Sequence, residues 1–180
     1  RVLIAPPRSR STMSIRDAGV PVDSQFGLVF RSNVAVTVTG SVYEGQDGTG
    51  VTAGTIADTE WVFGEGYMSR TRAGAQIIEN LFLFNPGASD QDVTITFMFT
   101  DGTQASVVQH LDARELEYVH VHELAAIVNR AEDQWYGIKV TGTSALVAGM
   151  EHWDGGIGGG FQTLGTHLNG GFDFSTVLTI

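Results

Sequence analysis

The sequence predicts an all-β protein folded as an antiparallel β-sandwich. Two patterns carry this prediction: apolar and polar residues alternate with period two along much of the chain, and Gly, Asn and Asp separate the alternating segments. The composition agrees, since 42% of the 180 residues are hydrophobic and 17% are charged, as in a packed globular chain. About seven strands are expected, at the spacing typical of a sandwich.

The clearest strand covers residues 92–100, because the apolar residues at positions 93, 95, 97 and 99 share one face. Asp101-Gly102 follows, and Gly102 supplies the positive φ of a tight turn, so residues 104–110 should return beside it as a hairpin. The strand 76–84 should end before Asn85, because Pro86 lacks the N–H that a β-ladder needs. Further strands are expected at 61–63, 114–121, 135–141 and 145–152, with a short helical turn within 122–130.

An internal repeat sets the predicted domain organisation. Residues 26–30 align with residues 136–140, and the same offset of 110 places Tyr43 on Trp153 and three glycines, at 45, 48 and 50, on three others. Residues 9–15 also match residues 113–119, at an offset of 104. The sequence therefore predicts a tandem repeat, with a partial first unit at 1–57 and a complete unit at 58–180.

A partial unit would leave strand edges and an apolar face uncovered. A preceding segment, a neighbouring copy or the C-terminal stretch could cover it, and the chain, which begins at Arg1, is either a processed mature chain or a fragment. The C-terminal stretch is apolar enough to act as a donated strand. Its candidate assembly residues are Phe172, Phe174, Val177, Leu178 and Ile180.

Several short motifs resemble, in order, a family of immunoglobulin-like repeats from large secreted or cell-surface proteins of bacteria. The resemblance covers roughly 58–166, and its marks are Trp61 to Gly66, Glu79 to Gly87, Val93 to Gly102, and Val147 to Trp153 followed by Leu164-Gly165. It implies an extracellular immunoglobulin-like sandwich strung in tandem, with no catalytic residues to carry over. The chain departs from the family pattern after His167.

Candidate metal ligands are few. His120 and His122 would share one face of a strand, as a zinc or copper site requires, but two ligands do not complete a site and the alternative is solvent-facing histidines. Acidic residues in Gly-rich loops offer oxygen ligands for calcium, although such loops are also ordinary turns. The loop acids are Asp47, Asp90, Asp92 and Asp154.

The aromatic residues allow a ligand-binding hypothesis. Trp61 and Trp153, with Trp135 and Tyr136, could stack on sugar rings, although core packing also explains them. The glycine cluster 155–160 lacks the Lys-Ser/Thr of a phosphate-binding loop and favours a hairpin loop. No nucleophile motif occurs, so the sequence does not predict an enzyme.

Charge limits the partners. The net charge of -10 disfavours nucleic acid and anionic membranes, and no apolar run is long enough for membrane insertion. The low Lys content favours a location outside the cell or at a bacterial cell surface. The predicted function is a structural module that self-assembles by sheet completion into a stalk, sheath or filament. The alternative is an adhesion module that binds glycan or protein.

Overall fold

A computed structural model describes residues 2–22, 24, 26–44, 47–53, 55–69, 77–130 and 133–167, of which residues 41–44 and 47–53 are described by their backbone alone. Within these ranges the chain is mostly antiparallel β-sheet, with a single turn of α-helix and two short 3₁₀ helices, at Arg16–Ala18 and Val121–Glu123. The all-β prediction is therefore confirmed. The elements are β1 Thr39–Glu44, β2 Asp47–Ala53, β3 Asp58–Phe63, β4 Tyr67–Met68, β5 Ile77–Phe84, β6 Gln91–Phe99, β7 Gln104–Leu111, β8 Leu116–His120, α1 Ala125–Val128, β9 Gln134–Asp154, β10 Gly159–Leu164 and β11 Thr166–His167.

The long strand β9 belongs to two sheets. Its first half pairs with β3 and β6, in a sheet of order β11-β3-β9-β6-β7, and its second half pairs with β5 and β10, in a sheet of order β10-β9-β5-β8. Asp58 pairs with Leu146 while Glu60 pairs with Thr141, so β9 bulges where it passes from one sheet to the other. The prediction of two separate strands, 135–141 and 145–152, is corrected to one continuous strand.

Inward-facing side chains from both sheets form one hydrophobic core. Strand β6 buries alternate residues, as its sequence predicts, and β5 buries Leu81 and Leu83 on the opposite side of the core. Trp61 and Phe97 are the largest side chains without exposed surface. Two sheets around a shared core fit a β-sandwich.

Two local predictions from turn chemistry are confirmed. Strands β6 and β7 form the expected hairpin, and Gly102 at its turn has a φ of 82°, which favours glycine. Strand β5 ends before Asn85, whose buried amide donates to the carbonyl oxygens of Ser89 and Asp112, at 2.9 Å each. The helical turn predicted within 122–130 is also present, as the 3₁₀ helix and α1.

The N-terminal part of the chain packs differently from the rest. Within the described residues before β1, the only regular element is the 3₁₀ helix at Arg16–Ala18. Apolar side chains here face solvent: Phe26, Leu28 and Phe30 are 42%, 44% and 54% exposed. The β1–β2 hairpin follows, at positions that the offset of 110 places on the end of β9 and on β10. The division into a partial and a complete unit stays a prediction.

The candidate assembly residues at the C-terminus, Phe172, Phe174, Val177, Leu178 and Ile180, lie outside the described residues. The described chain reaches this stretch through β11, which pairs with the middle of β3. None of the described helices has the length and apolar character required to cross a bilayer.

Candidate functional site

The two candidate ligand-binding tryptophans lie in different environments. Trp61 is fully buried, its indole N–H donates to the Leu146 carbonyl oxygen at 3.0 Å, and its ring packs against His167. Trp61 therefore offers no ring face to a sugar, which corrects the hypothesis at this position. Trp153 is 43% exposed on β9 and remains available to a ligand.

The histidine pair is split between two elements. His120 ends strand β8 and His122 lies in the 3₁₀ helix, so the two residues do not share one strand, but their rings still lie close together, with centroids 5.7 Å apart. His120 Nδ1 lies 2.7 Å from Asn80 Oδ1, and His122 Nδ1 lies 2.9 Å from the Glu79 carbonyl oxygen. One nitrogen of each ring is thus already in contact with a residue of β5, and these contacts connect β5 to the C-terminal end of β8.

The acidic loop residues have mixed surroundings. Asp90 and Asp112 come together with His110 on the surface, with ligand atoms within 4.8 Å of one another. Asp154 is buried and accepts the Gly156 N–H at 2.7 Å, which is turn chemistry. The side chain of Asp47 lies outside the described part of the chain.

A buried carboxylate that the sequence reading missed lies at one end of the core. Glu79 occupies an inward position of β5, has no exposed surface, and receives three hydrogen bonds. The Tyr67 N–H donates to Oε1 at 2.7 Å, His152 Nδ1 lies 2.9 Å from the same oxygen, and the Tyr136 hydroxyl donates to Oε2. These bonds join β4, β5 and both halves of β9. The carboxylate is therefore a structural anchor, since both of its oxygens are already engaged.

The ionisable groups around Glu79 shift one another's pKa values. The hydrogen bond to Glu79 raises the pKa of His152, against an opposing effect of burial, and the Glu79, Glu65 and Asp154 carboxylates raise it further. Burial raises the pKa of the Tyr136 hydroxyl, and Glu79 adds to this shift, so Tyr136 stays protonated. The pKa of Glu65 is raised by partial desolvation, with His152 opposing the shift and Glu79 adding to it.

Glu65 separates two open grooves at the same end of the molecule. The smaller groove, of about 140 Å³, includes Phe161 and Thr163 in its lining, and the larger, of about 190 Å³, includes Trp135 and Met98. Within the part of the chain that the structure describes, the Glu65 side chain forms neither a hydrogen bond nor an ion pair, in contrast to Glu79.

The larger groove has a rigid aromatic side. Trp135 is 53% exposed, and its ring packs against Tyr67 with centroids 4.2 Å apart. Gly66 packs against the Tyr136 ring so closely that any Cβ at this position would clash, and its carbonyl accepts the Tyr136 N–H at 3.0 Å. The Gly64-Glu65-Gly66 segment is thereby fixed beside the indole. The site can bind a ligand that suits both an aromatic face and a carboxylate.

The pair formed by Glu79 and His152 predicts a pH dependence of stability. Because the folded pKa of His152 is raised above 6.5, its stabilisation is complete below that pH and is lost as the pH rises through the folded pKa. We expect the free energy of unfolding, measured by urea denaturation between pH 6 and 9 at constant ionic strength, to fall with increasing pH, and H152Q to flatten this slope.

His110, a surface histidine, provides a control that separates the contribution of His152 from that of exposed charges. The pKa of His110 is also raised, chiefly by its hydrogen bond to Asp92, but its side chain is mostly exposed and solvent screens the interaction. We therefore expect H110Q to leave most of the slope. A slope that survives H152Q unchanged would show that the buried pair is not its source.

Comparisons with known proteins bear on the fold. Neither a protein-family model nor a curated protein matches the chain. The crystal structure of Thermotoga maritima 1070 is similar, with a TM-score of 0.51 and 17% identity over 62% of this chain and 96% of that one. The Anabaena sensory rhodopsin transducer aligns with a TM-score of 0.45 and 21% identity, over 53% of this chain and 89% of its own. The likeness to the Thermotoga protein concerns the fold alone.

Proposed function

We propose that the chain is a non-enzymatic structural module of a bacterial extracellular or cell-surface assembly, in which units join by completing each other's β-sheets. The observation that supports this is the apolar segment 26–36, which is exposed and forms no strand in the described structure. Exposed apolar surface of this kind is typical of an interaction site.

The repeat alignment indicates what kind of structure would cover this segment. Positions 26, 28 and 30 align with Tyr136, Ile138 and Val140, which are buried in β9 between β3 and β6. If the first unit folds as the second does, the segment 26–30 is a central strand that lacks both neighbours. Adding strands from another unit would satisfy its backbone and bury its side chains.

Further features support assembly rather than a closed monomer. Strand β7 is bonded only to β6 among the described strands, so one side of its eight-residue length is available for pairing. The tail residues Phe172 to Ile180 remain proposed assembly residues on the basis of their sequence. The immunoglobulin-like character, the tandem arrangement and the location outside the cell are parts of this proposal that rest on the sequence motifs.

The test is self-association of the full chain. We expect light scattering and sedimentation velocity to show concentration-dependent association of the wild type, with ordered polymers by electron microscopy. L28D should weaken it by at least about tenfold, since a charge would be buried at a strand-pairing surface. Ile157, which is exposed in the turn between β9 and β10, provides the matched control I157D.

Monomeric wild type at all concentrations would overturn the assembly proposal. It would favour the alternative, an adhesion module that binds glycan or protein. The specific observation for that alternative is the exposed indole of Trp153, on the strand next to Phe161, whose ring stacks on His152 with an interplanar angle of 9°. Equal loss of association in L28D and I157D would also contradict the proposal, because the effect would not depend on the segment.

A further inference from the structure

The chain is electrically asymmetric. We call residues 2–36 the N-terminal arm. The arm contains four arginines and two aspartates, a net charge of +2, whereas residues 37–180 contain five basic and eighteen acidic residues, a net charge of -13. Opposite charges on the arm and on the rest of the chain favour contact between the arm of one copy and the acidic body of another.

The arginines of the arm are available for such a contact. Arg8, Arg10, Arg16 and Arg31 are all exposed. Within the described ranges none of them forms an ion pair, and the only side-chain bond among them joins Arg10 Nε to Thr12 at 3.3 Å. Arg31 lies within the exposed segment 26–36, which the proposed function places in contacts between units.

The larger groove has the chemistry that a guanidinium group requires. Among the residues that the structure describes, Glu65 is the only charged one in the groove lining, and the indole of Trp135 presents a half-exposed aromatic face beside it. Guanidinium groups stack on aromatic rings and pair with carboxylates. The protein already uses this chemistry internally, since the Arg130 guanidinium lies 3.7 Å from the centre of the Phe99 ring and pairs with Asp101.

The groove also lies next to an available strand edge. Met98 lines it and is paired with Gln104, the first residue of β7. The available outer edge of β7 is therefore one strand away from a residue that lines the groove.

We propose that the groove formed by Glu65 and Trp135 binds an arginine side chain from the N-terminal arm of a second copy of the chain. This inference rests on the proposed function, because it needs copies to associate. It adds the contact that sets how one copy is oriented on the next. Because the basic arm and the acidic groove are different surfaces of the chain, the contact between two copies is head-to-tail, that is, heterologous.

The first experiment probes the groove in the full chain by NMR, without relying on assembly. We expect N-acetyl-arginine amide to shift the Trp135 indole N–H resonance at millimolar concentration and to leave that of Trp153 in place. N-acetyl-citrulline amide, the neutral isostere, should shift it much less, and E65Q should remove the difference between the two probes. Equal shifts with both probes, or a shift with methyl glucoside alone, would overturn the proposal.

The second experiment identifies the pair by double-mutant cycles on self-association. We expect E65Q to weaken association about tenfold, and one of R8Q, R10Q, R16Q and R31Q to weaken it equally, with no further loss when combined with E65Q. Additive effects for all four arginines would overturn the groove contact.

The two proposals fail in distinguishable ways. If L28D abolishes association while E65Q leaves it unchanged, sheet completion stands and the groove contact is overturned. If the wild type never associates, the second copy is overturned as the source of the arginine, and the proposed function fails with it.

Discussion

Replacement of Glu79 by alanine should lower the free energy of unfolding by roughly 3–5 kcal/mol, the cost of removing one partner from a buried ion pair. The substitution leaves the Tyr67 N–H, the Tyr136 hydroxyl and His152 without their shared acceptor, at a position that has no exposed surface. Urea denaturation at pH 6 measures the effect, because His152 is charged there.

Two variants sharpen this result. E79Q keeps one acceptor oxygen and a side chain of the same size, so it should cost clearly less than E79A. E123A removes a glutamate whose side chain is mostly exposed, and it should change stability by less than about 0.5 kcal/mol. If E79A cost no more than E123A, Glu79 would not anchor the three strands.

The second large effect is expected at Trp61. Its indole is fully buried between the two sheets, and truncation to alanine should cost about 3–5 kcal/mol through lost burial and the cavity left behind. The variant W61F keeps an aromatic ring but leaves the Leu146 carbonyl without its donor, so an intermediate cost of about 1–3 kcal/mol is expected. Thermal and urea denaturation monitored by circular dichroism measure both.

The matched control is the other candidate tryptophan. Because Trp153 is 43% exposed, W153A should cost under about 1 kcal/mol. A larger cost for W153A than for W61A would reverse the assignment of packing and surface roles. The pair also separates stability from binding, since a glycan-binding defect in W153A would appear in a protein that is still folded.

Local patterns predicted the strands well because each pattern has a short physical cause. Alternation in β6 places one residue in two in the core, and Gly102 supplies the positive φ of its hairpin. The continuous strand β9 could not be predicted in this way. Gly142, Thr143 and Ser144 resemble a turn in sequence, yet the structure uses them as a bulge, and only the pairing of two sheets on one strand decides between these outcomes.

The candidate site was less accessible from sequence. The signal for Glu79 was present, since a charged residue occupies an inward position between Ile77 and Leu81 on an alternating strand. Its partners lie 57 and 73 positions further along the chain, at Tyr136 and His152, and no local pattern connects them. Trp61 and Trp153 were equivalent by residue type, and only the fold shows which of them is buried.

Strand β9 has a mechanical consequence. It is hydrogen-bonded to five other strands, β3, β4, β5, β6 and β10, and is therefore the strand that both sheets share. A pulling force that enters along this strand loads the hydrogen bonds of both sheets in shear at once, instead of peeling one sheet away bond by bond.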